Sequence, residues 1–135
     1  MRPVTILVTE EYQIARARQA ALALAQEIGL GRTAAYYVAT SVSELANNLH
    51  FHTTRGGTIT LATLREDGRA GIQVVGEDHG PGIPDVALAM QDGFSTNGGL
   101  GGGLPGVERL MDEFEIVSTV GVGTRIVARK WQRCR

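Results

Sequence analysis

The order of predicted elements in this 135-residue chain indicates an α+β fold, a two-layer α/β sandwich with a mostly antiparallel sheet and helices on one face. Three observations lead to this prediction. A short β-branched strand opens the chain, two helices with apolar stripes follow it, and two pairs of strand-like runs are each joined by a glycine-containing turn. The chain contains no internal repeat or linker-like tract, so we expect residues 1–135 to form a single domain.

The N-terminal half supplies one strand and two helices. Val4–Val8 is short and β-branched, as in a strand, and Thr9 can cap the helix that follows it. The first helix has apolar residues at helical spacing, namely Ile14, Ala17, Ala21, Ala25 and Ile28. A second helix is predicted from about Thr33 to Thr53, with an apolar stripe of Val38, Val42, Leu45 and Leu49.

The rest of the chain is predicted to form two hairpins and a short helix between them. The first hairpin pairs Thr58–Leu64 with Ala70–Glu77 around an Asp-Gly turn, and the second pairs Phe114–Thr119 with Thr124–Lys130. The short helix has its apolar positions at Leu104, Val107, Leu110 and Met111. Short hairpin connections make the sheet mostly antiparallel.

Composition excludes several classes of function. The net charge is −1 and the arginines are mostly scattered, so electrostatics does not favour nucleic acid or an acidic membrane as a partner. The single cysteine, Cys134, excludes an internal disulfide and a cysteine-based zinc site. The apolar run at the N-terminus is too short for a signal peptide or a membrane span, so we expect a cytoplasmic protein.

The most unusual segment runs from Glu77 to Gly106 and carries seven of the eighteen glycines between Gly93 and Gly106. An ordinary connection is only about 4–6 residues long, which argues against a plain surface loop. The glycines formally match G-x-G-x-x-G, but a preceding strand and a later acidic residue are missing, and no P-loop motif is present. The remaining interpretation is a lid whose N–H groups, with the start of the Leu104 helix, bind phosphates.

A second constellation lies on the predicted helix of residues 33–53. Glu44, Asn48 and His52 are spaced i, i+4 and i+8, so they share one face beside the apolar stripe. A carboxylate can accept a proton, and an amide oxygen is a hard ligand suited to Mg²⁺. The alternative is an ordinary solvated helix face. Asn47 also lies near this face and is a second candidate for the metal ligand.

Four motifs occur in a fixed order along the chain: Glu44-x-x-x-Asn48, Asp78-x-Gly80-x-Gly82-Ile83, the Gly99–Gly106 run, and Gly121-x-Gly123-Thr124. This set resembles the N box, glycine boxes and lid of the gyrase, Hsp-ninety, histidine kinase and MutL (GHKL) ATPase superfamily. Within it, SELANN and GLPGVERLMDEFEI are most similar to the anti-sigma-factor serine/threonine kinases, in particular the stressosome switch-protein kinases of the RsbT type. The resemblance covers nearly the whole chain and implies a Bergerat-type ATP-binding fold with a glycine-rich ATP lid.

The resemblance also implies a role for each matching residue. Asp78 would accept a hydrogen bond from the adenine amino group, and Thr124 would join it at the adenine edge, directly or through water. Asn48 would coordinate Mg²⁺ and Glu44 would act as general base. The remaining cofactor-binding positions would let the ring approach the backbone or would hold phosphates through lid amides; they are Gly80, Gly82, Ile83, Gly99, Gly101, Gly102, Gly103, Leu104 and Gly106.

The function implied by the resemblance is that of an ATP-dependent protein serine/threonine kinase. Its substrate would be a STAS-domain partner of the anti-sigma-factor-antagonist type, in a bacterial stress-response pathway based on partner switching. Such a kinase would also activate a PP2C-type phosphatase by binding, and a homodimer is left open. The alternative is a nucleotide-gated anti-sigma factor that sequesters a sigma factor with little or no kinase activity.

Overall fold

The computed structural model describes residues 3–52, 56–91 and 103–133. Its elements are β1 (Val4–Val8), α1 (Glu11–Glu27), α2 (Arg32–His52), β2 (Gly57–Glu66), β3 (Arg69–Asp78), α3 (Val86–Ala89), α4 (Gly103–Leu110), β4 (Glu113–Thr119) and β5 (Gly123–Trp131). The five strands form one sheet in the order β1-β2-β3-β5-β4, and every neighbouring pair is antiparallel. The predicted two-layer architecture is confirmed.

The core lies between the helices and one face of the sheet. Every second residue of a strand points to this face, and the fully buried set from the strands and from α2 includes Ile59, Leu61, Ile72, Val74, Val38, Val42 and Leu45. The predicted stripe on α2 is confirmed as its buried face, because Leu49 is buried too. Removal of one such leucine side chain costs about 2–5 kcal/mol of folding free energy. Within the described ranges, each helix is too short or too polar to span a bilayer.

Two local details differ from the sequence-based expectations. The residue at the start of α1 is Glu10 rather than Thr9, and the Gln13 side-chain oxygen accepts from the backbone N–H groups of both residues. A glutamine three residues into the helix therefore accepts from the backbone N–H of the N-cap, as the third helical residue of a capping box does. The second difference is α3, a single turn that was not predicted, whose N-cap Asp85 accepts from the backbone N–H of Leu88 at 3.0 Å.

The two hairpins set the register of the sheet. Asp67 and Gly68 have φ angles of 53° and 78°, which gives the first turn two consecutive left-handed residues and a twist that suits a tight hairpin. In the centre of the sheet, β3 pairs with β5 so that Asp78 lies opposite Thr124. Two residues that are far apart in sequence, and that the motifs singled out separately, are thus cross-strand neighbours.

The last turns of α2 pack closely on the sheet end where β3 stops. Gly57 lies so close to the carbonyl oxygen of Glu77 and to the Leu49 side chain that a methyl group at its Cα would clash with both. One turn earlier on the helix, Leu45 packs beside Gly76. The close approach places the C-terminal half of α2 over the end of β3.

At the opposite end of the sheet, Glu113 links two strands. Its carboxylate accepts from the Trp131 indole N–H at 2.6 Å and from the Arg129 guanidinium at 2.9 Å. The Trp131 hydrogen bond, followed by the Arg129 hydrogen bond, lowers the pKa of Glu113 below its ordinary value. Both bonds favour the ionised carboxylate in the folded protein.

We expect Glu113→Gln to remove a contribution to the free energy of unfolding that the wild type loses in acid. Because the folded pKa is the lower one, the stabilisation is present above the unfolded-state pKa and disappears as pH falls through the folded value. The Glu113 side chain is 48% exposed, so its interactions contribute at most about 1 kcal/mol to the free energy of unfolding. Trp131 is the only tryptophan, so its fluorescence during acid titration reports the change directly.

The matched control for this prediction is Glu115→Gln, which removes a carboxylate from the same face of β4. Glu115 is exposed. We expect the wild type and the control to show a fluorescence transition below about pH 4.5 and Glu113→Gln to lack it. An unchanged transition in Glu113→Gln would contradict the assignment.

Candidate functional site

The candidate site lies at the end of the sheet where β3 stops and β5 begins. Asp78, the last residue of β3, is half-buried, and one of its carboxylate oxygens accepts from the Gly80 backbone N–H at 2.8 Å. Within the described ranges its other oxygen has no hydrogen-bond partner. A carboxylate oxygen that is partly desolvated and unpaired is a suitable acceptor for an amino group of a ligand.

Beside Asp78, two hydroxyl groups join three segments of the chain. Thr124 is buried, and its Oγ1 lies 2.7 Å from Oγ of Ser118, its cross-strand partner on β4. The same Ser118 oxygen accepts the backbone N–H of Ile83 at 2.7 Å. The loop after β3 is therefore tied to both β4 and β5 at the position of Thr124.

This loop lies flat against the β4–β5 turn. Gly82 has φ of 80°, and a methyl group at its Cα would come within 2.5 Å of the Thr119 carbonyl oxygen, so no larger residue fits without a shift. The backbone N–H of Gly121 donates to the Pro81 carbonyl at 2.8 Å. Ile83 packs against the main core from the edge of the loop. Its role as a wall beside a ligand stays a prediction.

Helix α2 brings the other candidate residues to this sheet end. Glu44 is only 6% exposed, so the alternative of a solvated helix face is wrong for this residue. It makes a polar contact in the folded chain, as a buried carboxylate requires. Asn48 lies one turn further on the same face and is half-buried. Because Leu45 and Leu49 pack on Gly76 and Gly57, this stretch of α2 lies over the strand end that carries Asp78.

The two adjacent asparagines of α2 have different environments. The Asn47 side-chain NH₂ donates to the Ser43 carbonyl at 2.9 Å, so its amide is bound to its own helix. The Asn48 side chain has no hydrogen-bond partner within the described part of the chain. Among the described residues, no three His, Cys, Asp or Glu side chains cluster as a metal site. The Asn47 bond uses its NH₂ group and holds that side chain against its own helix, whereas the Asn48 side chain is not held in this way within the described residues. An amide oxygen on this face could join Mg²⁺ held mainly by phosphates and water, the usual mode for this ion.

Helix α4 contributes a backbone end to the site and packs on α2. It begins at Gly103, whose φ is 70°. Leu104 and Gly106 in the first turn are buried. Leu104 can therefore contact a ligand only through its backbone N–H, which has no partner inside the helix because it precedes the first intrahelical bond. The predicted lid residues Gly99, Gly101 and Gly102 lie outside the described residues.

The sequence matches the family model of the histidine kinase-like ATPase domain over residues 7–130. The chain belongs to this family. The family match and the fold confirm the resemblance drawn from the sequence. ATP is accordingly the nucleotide that the family implies.

Curated members of the family include close relatives of this chain. It is 44% identical over 128 residues to the serine/threonine-protein kinase RsbT of Bacillus subtilis, an alignment that covers 95% of this chain and 96% of that protein. It is also 35% identical over 99 residues to the anti-sigma F factor of Caldanaerobacter subterraneus, covering 70% and 68% of the two chains. These relatives confirm the predicted group and its enzyme class, that of protein serine/threonine kinases.

Solved structures share the fold at low sequence identity. The crystal structure of the RsbU and RsbW domains of a Mycobacterium tuberculosis protein superposes with a TM-score of 0.66 at 19% identity, over all of this chain and 34% of that one. This chain thus spans about a third of that longer protein. A structure of the SiaB–SiaC complex from Pseudomonas aeruginosa gives a TM-score of 0.58 at 13% identity, over 97% of this chain and 89% of the other. Both likenesses concern the fold alone.

Sequence reasoning missed Ser118. A single serine in a strand carries no recognisable motif, and its contacts with Thr124 and Ile83 join separate segments. One signal was available, because a tight turn at Val120–Val122 pairs the residues that flank it. That register places Ser118 opposite Thr124.

Proposed function

We propose that this protein transfers the γ-phosphate of ATP to a serine or threonine of a STAS-domain partner of the anti-sigma-factor-antagonist type. The observation that supports this best is the placement of a buried carboxylate, Glu44, one turn from the unpaired Asn48 amide and over the strand end that carries Asp78. The 44% identity to RsbT, a serine/threonine-protein kinase, supports the same activity. A bacterial stress-response pathway based on partner switching is the setting that we propose for it.

In this proposal the adenine ring lies against the loop after β3. The unpaired oxygen of Asp78 accepts from the exocyclic amino group, and Thr124 serves the neighbouring position on the ring. Gly80 and Gly82 let the ring approach the backbone, and Ile83 supplies an apolar wall. These roles rest on the orphan Asp78 oxygen, on the buried Thr124 hydroxyl and on the tight packing of Gly82.

The phosphates would lie between α2 and the start of α4. The backbone N–H groups of Gly103 and Leu104 point along the helix axis, where the partial positive charge of the N-terminus favours phosphate, and Gly106 lets the phosphates approach the first turn closely. We further propose that Asn48 holds Mg²⁺, which neutralises phosphate charge when it is bound. Residues 93–104 contain no Lys or Arg, so backbone groups and the metal carry that task.

The reaction needs one proton acceptor from the protein. As the hydroxyl oxygen of the partner bonds to the γ-phosphorus, the bond from that phosphorus to the bridging oxygen of ADP breaks. The hydroxyl proton passes to the Glu44 carboxylate. The buried position of Glu44 keeps bulk water away from this proton transfer.

A second candidate function is favoured by the anti-sigma F factor relatives. In that reading the chain is a nucleotide-gated clamp that sequesters a sigma factor and transfers little or no phosphate. The two functions differ in what happens to a bound partner, because a kinase modifies it and a clamp only retains it.

Transfer of labelled γ-phosphate separates these two functions. The purified chain is incubated with ATP, Mg²⁺ and STAS-domain proteins encoded beside it, and a parallel pull-down measures binding of a sigma factor. Incorporation of label into a STAS protein is the result we expect. Binding of the sigma factor with no label in any STAS protein would establish the clamp and overturn the kinase proposal.

Two further partner relations belong to the proposal. We propose that the chain activates a PP2C-type phosphatase by direct binding once its STAS partner has been phosphorylated and released. Measurement of phosphatase turnover with and without the chain tests this step.

Size-exclusion chromatography with light scattering decides whether the chain is a homodimer.

Exchange of Asn48 for alanine should weaken the response to Mg²⁺. The amide oxygen is lost, so we expect the Mg²⁺ concentration for half-maximal nucleotide binding to rise about tenfold, the order of one lost contact to a charged group. Calorimetric titration of a nonhydrolysable ATP analogue at several Mg²⁺ concentrations measures it. Asn47→Ala is the matched control, because the Asn47 amide is bound to Ser43. If Asn47→Ala raised the half-maximal Mg²⁺ concentration more than Asn48→Ala did, Asn47 would be the metal ligand in place of Asn48.

A further inference from the structure

The Ser118–Thr124 hydroxyl pair shares one short hydrogen bond of 2.7 Å, in which either oxygen can be the donor. Ser118 Oγ also accepts the Ile83 N–H at 2.7 Å, and its own proton has two available acceptors, Thr124 Oγ1 at 2.7 Å and the Gly123 carbonyl at 3.5 Å. A hydroxyl bond is normally 2.5–3.0 Å long, so Thr124 Oγ1 is the better placed of these two acceptors. We take this direction for the pair, with Ser118 as the donor and Thr124 as the acceptor.

This direction leaves the proton of Thr124 without an acceptor in the described part of the chain. The Thr124 side chain is 8% exposed and lies on the same sheet face as Asp78, its cross-strand partner. The strand end therefore presents an acceptor, the unpaired Asp78 oxygen, next to a donor, the Thr124 hydroxyl. Adenine presents the complement, an amino donor with the ring-nitrogen acceptors N1 and N7 on either side of it.

We propose that Ser118 is a positioning residue for nucleobase recognition, which fixes Thr124 as a donor toward a ring nitrogen beside the adenine amino group, directly or through one water. Ser118 does not itself touch the base. Its hydroxyl donates to Thr124 Oγ1, which leaves the Thr124 proton free for the base. The same Ser118 oxygen accepts the Ile83 backbone N–H and so fixes the loop after β3. The inference rests on the proposed function, since it takes ATP as the nucleotide.

The proposal is tested with ATP analogues that lack one ring nitrogen. The ring nitrogens N1 and N7 lie on either side of the amino group, so 1-deaza-ATP and 7-deaza-ATP are compared with ATP by calorimetry. In the wild type, we expect one of the two analogues to bind about tenfold more weakly than ATP, because the buried Thr124 donor loses its acceptor. In Ser118→Ala and in Thr124→Val, this penalty should fall to about twofold or less.

Three controls make the result specific. Thr119→Ala removes the exposed hydroxyl next to Ser118 on β4 and should keep the full penalty. Ser118→Thr keeps a hydroxyl at the same position and should restore it. Thermal unfolding of each variant confirms that it folds, so a lost penalty can be separated from a lost structure.

Each outcome is decisive. A penalty that survives in Ser118→Ala but disappears in Thr124→Val would overturn the role of Ser118. Equal binding of ATP and both analogues by the wild type would overturn the donor role of Thr124. Failure of the wild type to bind ATP at all would overturn the proposed function itself, which is a different result from either of these.

Discussion

We expect Glu44→Gln to lower phosphoryl transfer by about 10²–10⁴-fold, the usual span for the loss of a positioned acid or base. Glutamine has the size and shape of glutamate, but its amide cannot accept the hydroxyl proton of the partner. A loose transition state with little early proton removal puts the effect at the lower end of this span. ATP affinity and partner binding should stay close to wild type, because in the proposed site Glu44 contacts neither the adenine nor the phosphates of ATP.

The measurement is transfer of labelled γ-phosphate to the purified STAS partner, beside a binding assay on the same samples. Glu27→Gln is the matched control, since it removes one carboxylate from an exposed position at the end of α1. Full transfer by Glu44→Gln would remove Glu44 from the role of base. If the wild type transfers no phosphate and the variant still retains a sigma factor, the clamp function replaces the kinase.

The second large effect is expected in Asp78→Asn, which should weaken ATP binding by about 5–150-fold, equivalent to about 1–3 kcal/mol. The asparagine oxygen can still accept the Gly80 N–H, so the turn after β3 keeps its hydrogen bond. The new NH₂ group, however, faces the amino group of adenine, and two donors then oppose each other in a partly buried place. Loss of binding without loss of folding is therefore the expected pattern.

Calorimetry with ATP measures the affinity, and thermal unfolding checks the fold. The control is Glu77→Gln, an exchange of the same kind at the preceding residue, whose side chain lies on the opposite face of the sheet next to Arg125 at 4.0 Å. We expect its ATP affinity to match the wild type. Equal affinity in Asp78→Asn and in the control would exclude Asp78 from the nucleotide site.

Both hairpins were predictable because their signals are local. Asp67-Gly68 supplies the two left-handed residues of a tight turn, and β-branched residues on either side identify the strands. The helix of residues 32–52 was equally clear, since its stripe of four aliphatic residues repeats every three or four positions. Helix α3 was missed because four residues are too few for a periodic pattern, and one aspartate cap stabilises it.

The residues of the candidate site could be predicted from the sequence, but their burial and hydrogen bonds could not. Glu44, Asn48, Asp78 and Thr124 were chosen from motif spacing and from the resemblance to the GHKL superfamily, yet neither shows which of them are buried. The structure shows that Glu44 is buried, that the Asn47 amide donates to its own helix and that the Asn48 side chain has no hydrogen-bond partner among the described residues. These differences depend on how α2 packs on the sheet.

Residue types and their periodicity were thus sufficient for the element order, the two layers and the set of candidate residues, because each of these follows from interactions within about a dozen neighbouring positions. The pairing of Asp78 with Thr124 and the hydrogen bonds of Ser118 were decided only in the folded chain. They depend on the register between strands and on contacts across 6 to 46 positions in sequence, which the burial of a common core selects.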